Sequence, residues 1–207
     1  MGSIPAPAQP SLRWLVPIAA TVVPTRAVRG TLLVSSRAQL RRAGLFEAYR
    51  CHLSESARTT LDGSIAASWI PIDIAHAHFA AVDALDLLES DILAFTRLAG
   101  EQQHHVFLST ALRLVRATGL TPWTALPAFS KIWDRVFEGG ALGIQQTGPK
   151  DARVIVAAHP LLRHRCHRIG ARSHIELALS FCAKHAYVRE AAYDRRNETM
   201  TLTARWL

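Results

Sequence analysis

The stretch FEGGALGIQQTGPKDARVIVAA, residues 137–158, decides the fold. Its adjacent glycines, Gly139 and Gly140, end a helical pattern, because glycine weakens helices and permits sharp changes of direction. Two runs rich in strand-forming residues then flank the sequence Gly-Pro-Lys-Asp at 148–151, which is typical of a turn. We therefore predict a β-hairpin over 141–158.

Toward the C-terminus the pattern alternates between helix and strand. Pro160 should begin a short helix that stops near Gly170, and a longer helix is expected over 173–186, with its first residue, a serine, as the cap. Residues 191–206 predict a second hairpin that turns at 195–198. Its last strand places four residues on one face: Met200, Leu202, Ala204 and Trp206.

Upstream of the glycine pair, apolar spacing predicts mostly helices. Residues 12–34 are expected to form short extended segments, and 69–73 another. Residues 1–11 are rich in proline and should form a flexible arm ahead of a single domain, 12–207. The predicted helices are 37–44 capped by Ser36, 45–60, 74–88, 91–98, 101–118 and 122–137, the last with Thr121 as cap and Pro122 at its first position.

This order of elements predicts an α+β fold. The N-terminal helices should pack on one side of a C-terminal antiparallel sheet, which is built from two hairpins flanking a helix. A chain of 207 residues with 49% hydrophobic content is large enough to stabilise its core without a metal or a disulfide.

Charge and cysteine content limit the classes of partner and the cellular compartment that we expect. The 24 Lys+Arg against 16 Asp+Glu give a net charge of +8, which solvated surfaces explain, so a nucleic-acid partner is not favoured. Cys51, Cys166 and Cys182 fit no disulfide framework and indicate a reducing compartment. The apolar run 14–23 is too short for a membrane span and is broken by Pro17. We expect a cytoplasmic protein.

Aromatic residues give the first candidate site. Phe129, Trp133 and Phe137 follow helical spacing, and Phe79 lies on the apolar face of an earlier predicted helix. These four side chains either wall an apolar ligand pocket or form solid core, and the sequence leaves both alternatives open.

The segment 159–172 is rich in histidine and arginine and gives the second candidate site. Its arginines present planar forks of donors that suit a phosphate or a carboxylate. The alternative is that they form a solvated face. The four arginines are Arg163, Arg165, Arg168 and Arg172. The same positive charge, and the lack of ligand spacing, argue against a metal site. We therefore expect no bound zinc, haem or other cofactor.

Catalytic motifs are absent from the sequence: no glycine-rich phosphate loop or nucleophile elbow is present. Cys182 and His185, three apart on a predicted helix, form a thiolate–imidazole candidate, although the helical pattern places Cys182 on the apolar face. His76 and His78, like His104 and His105, are predicted to be surface residues, because close neighbours on a helix point in different directions. We assign no catalytic residue.

The segment from about Gly44 onward resembles a paralogous family of myxobacterial proteins of unknown function. The resemblance is carried by Gly44-Leu45, by Trp69-Ile70-Pro71, by the break Phe137-Glu138-Gly139-Gly140 and by the hairpin–helix–hairpin ending. More distantly, the ending is similar to the superfold shared by four-vinyl-reductase domains, the Bet3-like subunits of TRAPP tethering complexes, and haem nitric-oxide sensors. This resemblance implies ligand binding or scaffolding.

Two departures limit what this resemblance implies. The closing hairpin lacks the cysteines of many four-vinyl-reductase domains, and the Tyr-x-Ser-x-Arg signature of the haem sensors is missing; Tyr187-Val188-Arg189 does not supply it. No functional residue is therefore carried over.

The sequence thus predicts a non-enzymatic domain that binds a small ligand or a protein partner and acts in sensing or signalling. The alternative is a structural scaffold that homodimerises or assembles with partner proteins, and a thiol-dependent enzyme is the third hypothesis. A homo-oligomer is expected in either of the first two cases.

Overall fold

Helices dominate the first part of the chain and strands the last. The computed structural model describes residues 12–96 and 121–207, so the predicted arm 1–11, the predicted helix 101–118 and His104-His105 lie outside the described residues. The first range contains β1 (Arg13–Val16), β2 (Ala27–Arg29), α1 (Gly30–Arg42), α2 (Phe46–Cys51), α3 (Glu55–Asp62), β3 (Trp69–Pro71), α4 (Ile72–Asp83) and a helical segment, 89–96. The second contains α5 (Pro122–Val136), β4 (Phe137–Glu138), β5 (Ala141–Gly148), β6 (Asp151–Ala157), a 3-10 turn (Pro160–Arg163), α6 (Arg165–Ser180), β7 (Ala186–Asp194) and β8 (Thr199–Trp206).

Both predicted hairpins form, and they belong to one sheet. The strand order is β1-β5-β6-β8-β7, and every neighbouring pair is antiparallel. The four residues predicted to share one face of β8 are all buried, and α6 packs on the sheet mainly against β7. The α+β prediction is therefore confirmed. A second, small sheet with the order β3-β2-β4 lies among the N-terminal helices.

Several predicted helix boundaries are wrong. A single helix, α6, replaces the two pieces predicted before Gly170 and after Ser173, because neither residue lies at a helix end: Gly170 faces Thr96 and Ser173 is buried on the inner face. α1 begins at Gly30, before the predicted cap Ser36. The predicted helix 45–60 is interrupted before α3, where the Ser54 hydroxyl accepts a hydrogen bond from the Ala57 N–H at 3.2 Å.

The paired glycines join the two parts of the chain. Gly139 and Gly140 both have positive φ, +89° and +68°. A Cβ atom at Gly139 would lie 2.5 Å from the Pro24 carbonyl oxygen, and one at Gly140 would meet the Thr25 hydroxyl. Only glycine fits this junction, because the backbone is left-handed there and the N-terminal segment lies directly against it.

The buried apolar residues form two clusters. One belongs to α1–α4 and the start of α6, with Leu33, Leu40 and Tyr49 among its most buried members. The other lies between the main sheet, α5 and α6, and Phe137 packs against both clusters. Within the two described ranges, no helix is both long and apolar enough to cross a lipid bilayer.

Candidate ligand-binding cavity

A cavity of about 760 Å³ lies where the two apolar clusters meet. α1, α4, segment 89–96, α5 and α6 surround it, and β5 and β6 contribute Leu142 and Val156. Its walls are mostly apolar. Protein interiors leave few voids larger than a water molecule, whereas sites for small molecules typically measure about 300–1,000 Å³. The cavity therefore has the size and lining of a ligand site.

All four aromatic residues singled out in the sequence lie on this wall: Phe79, Phe129, Trp133 and Phe137. The Trp133 and Phe137 ring centroids are 4.2 Å apart, and Trp133 is only 5% exposed. Its indole nitrogen is buried and forms no hydrogen bond within the described part of the chain. The aromatic residues thus serve both as core and as cavity wall, and their contact with a ligand stays a prediction.

His174, on α6, offers a polar atom at the wall. Its Nδ1–H donates to the Gly170 carbonyl oxygen at 2.8 Å, and because a carbonyl only accepts, this bond fixes the proton on Nδ1. Nε2 therefore keeps a lone pair that can accept a hydrogen bond or bind a metal. Burial lowers the pKa of His174, so the ring is neutral near pH 7.

His167, which is buried on α6, also lines the cavity. It is the first member of a buried chain of hydrogen bonds. Its Nε2 lies 2.8 Å from Nε2 of His159, whose Nδ1 lies 2.8 Å from the Thr25 hydroxyl. Burial lowers the pKa of His167 to about 3 and that of His159 as well. Both rings are therefore neutral, with one of the two facing nitrogens donating and the other accepting.

Asp83 holds the start of α6 beside the cavity. Its two oxygens accept the backbone N–H groups of Arg165 and Cys166 at 2.9 and 2.8 Å. Burial opposes the charged carboxylate, but the hydrogen bonds from His164, Cys166 and the backbone outweigh it and lower the pKa of Asp83 to about 2. Because the carboxylate lies at the positive end of a helix, it stabilises α6 where the helix borders the cavity.

The predicted anion site does not converge in the structure. Arg163, Arg168 and Arg172 pair with Glu198, Glu190 and Glu89, respectively, and Arg165 donates to the Leu87 carbonyl oxygen. Each guanidinium is therefore directed to a different partner, and anion binding by these four residues stays a prediction.

The histidines of segment 159–172 are likewise distributed rather than grouped. His164 pairs with His76 at 2.9 Å, while His159 pairs with His167. Across residues 12–96 and 121–207, no group of three or more histidine, cysteine or carboxylate side chains is arranged to hold a metal ion.

The prediction that Cys182 and His185 share a helix is wrong, and so is the prediction that His78 lies at the surface. Cys182 and His185 do not share a helix, because α6 ends at Ser180; the Cys182 thiol donates to the Leu179 carbonyl oxygen at 3.3 Å, and burial raises its pKa to about 11. This is the opposite of an activated thiol. His78 is fully buried rather than exposed, with Nδ1 at 2.7 Å from the Tyr49 hydroxyl.

The cavity reaches the surface beside two arginines that the sequence analysis missed. Arg29 and Arg135 both line it, together with Ala66 and Ala67, and Arg135 and both alanines are exposed. Arg29 and Arg135 are far apart in the sequence, and neither belongs to a charged run, so no sequence signal marks them as a pair. His174 was missed because its bond to Gly170 depends on an unbroken α6.

No family model matches the sequence. No characterised protein matches it in sequence either. The myxobacterial resemblance, and those to four-vinyl-reductase and Bet3-like proteins, therefore remain predictions.

Similarity to solved structures is found at the level of the fold. An Fe(II) unliganded H-NOX protein from K. algicida aligns with a TM-score of 0.61 and 11% identity, over 86% of this chain and 96% of that one. A variant of T. tengcongensis H-NOX aligns with a TM-score of 0.57 and 12% identity, over 86% and 97%. An oxygen complex of an H-NOX domain related to soluble guanylate cyclases aligns with a TM-score of 0.56 and 13% identity, over 86% and 94%. The chain therefore shares its fold with H-NOX domains, which confirms at that level the predicted likeness to haem sensors.

Proposed function

We propose that this protein is a non-enzymatic ligand-binding domain that takes a small, mostly apolar molecule into the cavity between its helices and its sheet. The cavity of about 760 Å³ is the observation that carries the proposal. An apolar space of this size between two well-packed clusters loses dispersion contacts on every wall unless a ligand supplies them. Occupancy would bring both clusters into contact with one molecule and so couple ligand binding to the relative positions of α1, α5 and α6.

A haem is the second candidate occupant. The solved structures with this fold include an Fe(II) H-NOX protein and an oxygen complex. In this chain, His174 would be the residue to hold the iron of such a group, because its Nδ1–H is held by the Gly170 carbonyl oxygen and Nε2 keeps a free lone pair. Cys166 does not fit, since its thiol donates to the Phe79 carbonyl oxygen and burial raises its pKa. A bound haem would supply reversible binding of a diatomic gas.

Filling the cavity tests the leading proposal. Ala171 lies on the cavity wall, so Ala171→Phe should occupy space there and abolish binding of an apolar fluorescent probe. Ala80 is exposed on α4, and Ala80→Phe adds the same ring outside the cavity as a matched control. Thermal unfolding of both variants shows that they fold.

The outcome separates the hypotheses. Loss of probe binding in Ala171→Phe alone supports the cavity. Equal probe binding by the wild type, both variants and an unrelated protein of similar charge contradicts it, and assembly as a scaffold then becomes the leading hypothesis. The visible absorption spectrum of protein purified after haem supplementation tests the second candidate. A Soret band lost in His174→Ala supports haem, and its absence from the wild type supports the sequence prediction of no haem.

A further inference from the structure

Two arginines, Arg29 and Arg135, line the cavity at its opening, and the surrounding backbone holds the side chain of Arg29 there. Arg29 donates from Nη1 to the Ala67 carbonyl oxygen at 2.8 Å and from Nε to the Arg135 carbonyl oxygen at 3.4 Å. Its guanidinium carbon also lies 4.0 Å from the centre of the exposed Trp69 ring. Stacking on an aromatic ring fixes the plane of the guanidinium, so Arg29 is orientated before any ligand arrives.

Neither of these two arginines forms an ion pair with a carboxylate of residues 12–96 or 121–207. Nη2 of Arg29 likewise forms no hydrogen bond within those ranges. Several other arginines of the described ranges do pair with aspartate or glutamate: Arg26, Arg37, Arg50, Arg163, Arg168, Arg172 and Arg205. The cavity opening therefore combines a mostly apolar interior with two positive charges that the described residues do not neutralise.

We infer that the ligand is an amphipathic carboxylate, whose apolar body fills the cavity and whose carboxylate is held by Arg29 and Arg135 at the opening. This inference rests on the proposed function and names its ligand class. Arginine suits the head group because its planar donors match a carboxylate, and charge-assisted hydrogen bonds are the stronger kind. The walls suit the body because Phe79, Phe129 and Trp133 present apolar surface with few polar atoms.

Two kinds of molecule carry this chemistry: a long-chain fatty acid and a polycyclic carboxylate such as a porphyrin. The experiment compares palmitic acid with hexadecanol, which has the same chain length but no charge, and adds metal-free protoporphyrin IX as a separate arm. Binding is measured by calorimetry on the full chain and its variants. Arg135→Gln removes an exposed positive charge at the opening, and Arg29→Gln removes the stacked one.

Arg195→Gln is the matched control, because Arg195 is exposed at the turn between β7 and β8 and does not line the cavity. We expect each opening variant to bind the carboxylate about tenfold or more weakly, as loss of a charge-assisted hydrogen bond implies. Hexadecanol binding should be unchanged, which also shows that the variant cavity is intact. The control should bind both ligands as the wild type does.

Either carboxylate supports the inference if its affinity depends on both arginines, and the arm that responds identifies the shape of the body. If hexadecanol binds but neither carboxylate binds more tightly than it, the inference fails and the cavity function stands. The inference also fails if the carboxylates bind but Arg29→Gln and Arg135→Gln leave their affinities unchanged. If no apolar molecule binds the wild type, the proposed function fails and this inference with it.

Discussion

Acidification should destabilise this protein through its buried histidines. Burial lowers the pKa of His78 and of His167 to about 3, whereas an unfolded histidine has a pKa of about 6.5. Between these two values the unfolded state binds protons that the folded state does not. The free energy of unfolding therefore falls as the pH falls through that window, and the stability is fully present above it.

The size of the effect follows from the proton linkage. From pH 7 to pH 5, each histidine that stays neutral in the folded state should reduce the free energy of unfolding by about 2 kcal/mol. His78 and His167 together give about 4 kcal/mol, and His159, which is also fully buried, adds to it. Because domains are typically stable by about 5–15 kcal/mol, this loss should bring the protein close to unfolding near pH 5.

Urea unfolding at a series of pH values, followed by circular dichroism, measures this slope. His78→Gln removes one titrating group, so it should reduce the change in unfolding free energy between pH 7 and pH 5 by about 2 kcal/mol. His185 is exposed, and His185→Gln should leave the slope unchanged. An unfolding free energy that is the same at both pH values, or a slope that both variants reduce equally, would refute this reasoning.

Three further substitutions test hydrogen bonding and packing in the described structure. Asp83→Ala removes the acceptor of two backbone N–H groups at the start of α6, so it should lower the unfolding free energy, measured in urea, by about 1–2 kcal/mol. Asp91 is an exposed carboxylate, and an equal loss in Asp91→Ala would contradict this role of Asp83. Thr203→Val should be neutral or stabilising in thermal unfolding, because the buried Thr203 hydroxyl has no partner in the described structure. Trp133→Ala should lower the unfolding free energy by about 3–5 kcal/mol, because burial is lost and the void is enlarged. Trp133→Phe should lower it clearly less. Equal losses in the two variants would show that the ring is not packed as described.

The strands could be predicted because their signals are local. Alternation along β8 and the turn residues at 148–151 and 195–198 define both hairpins within a few residues of sequence. The boundaries of α6 could not be predicted in the same way. Gly170 favours a helix end by local propensity, but packing against the rest of the fold keeps the helix continuous, and tertiary contacts override propensities of about 1 kcal/mol.

The residues of the candidate site likewise fall into those that local sequence patterns predict and those that depend on distant contacts. Phe129 and Trp133 could be found because helical spacing identifies an apolar face, and that face borders both the core and the cavity. The partners of the buried histidines could not be found. His159 is bonded to Thr25, 134 residues away, and such pairs become visible only when the chain is folded.

The short strand β1 protects one edge of the main sheet from other chains. β5 has eight residues, and β1, with four, pairs with part of its outer side through Arg13, Trp14 and Val16. The opposite edge, β7, instead carries exposed charges and an irregularity after Glu190, features that discourage strand addition. Removing residues 12–16 would therefore uncover a long, unpaired template beside β5, and chains shortened at that point should join through their sheets and aggregate.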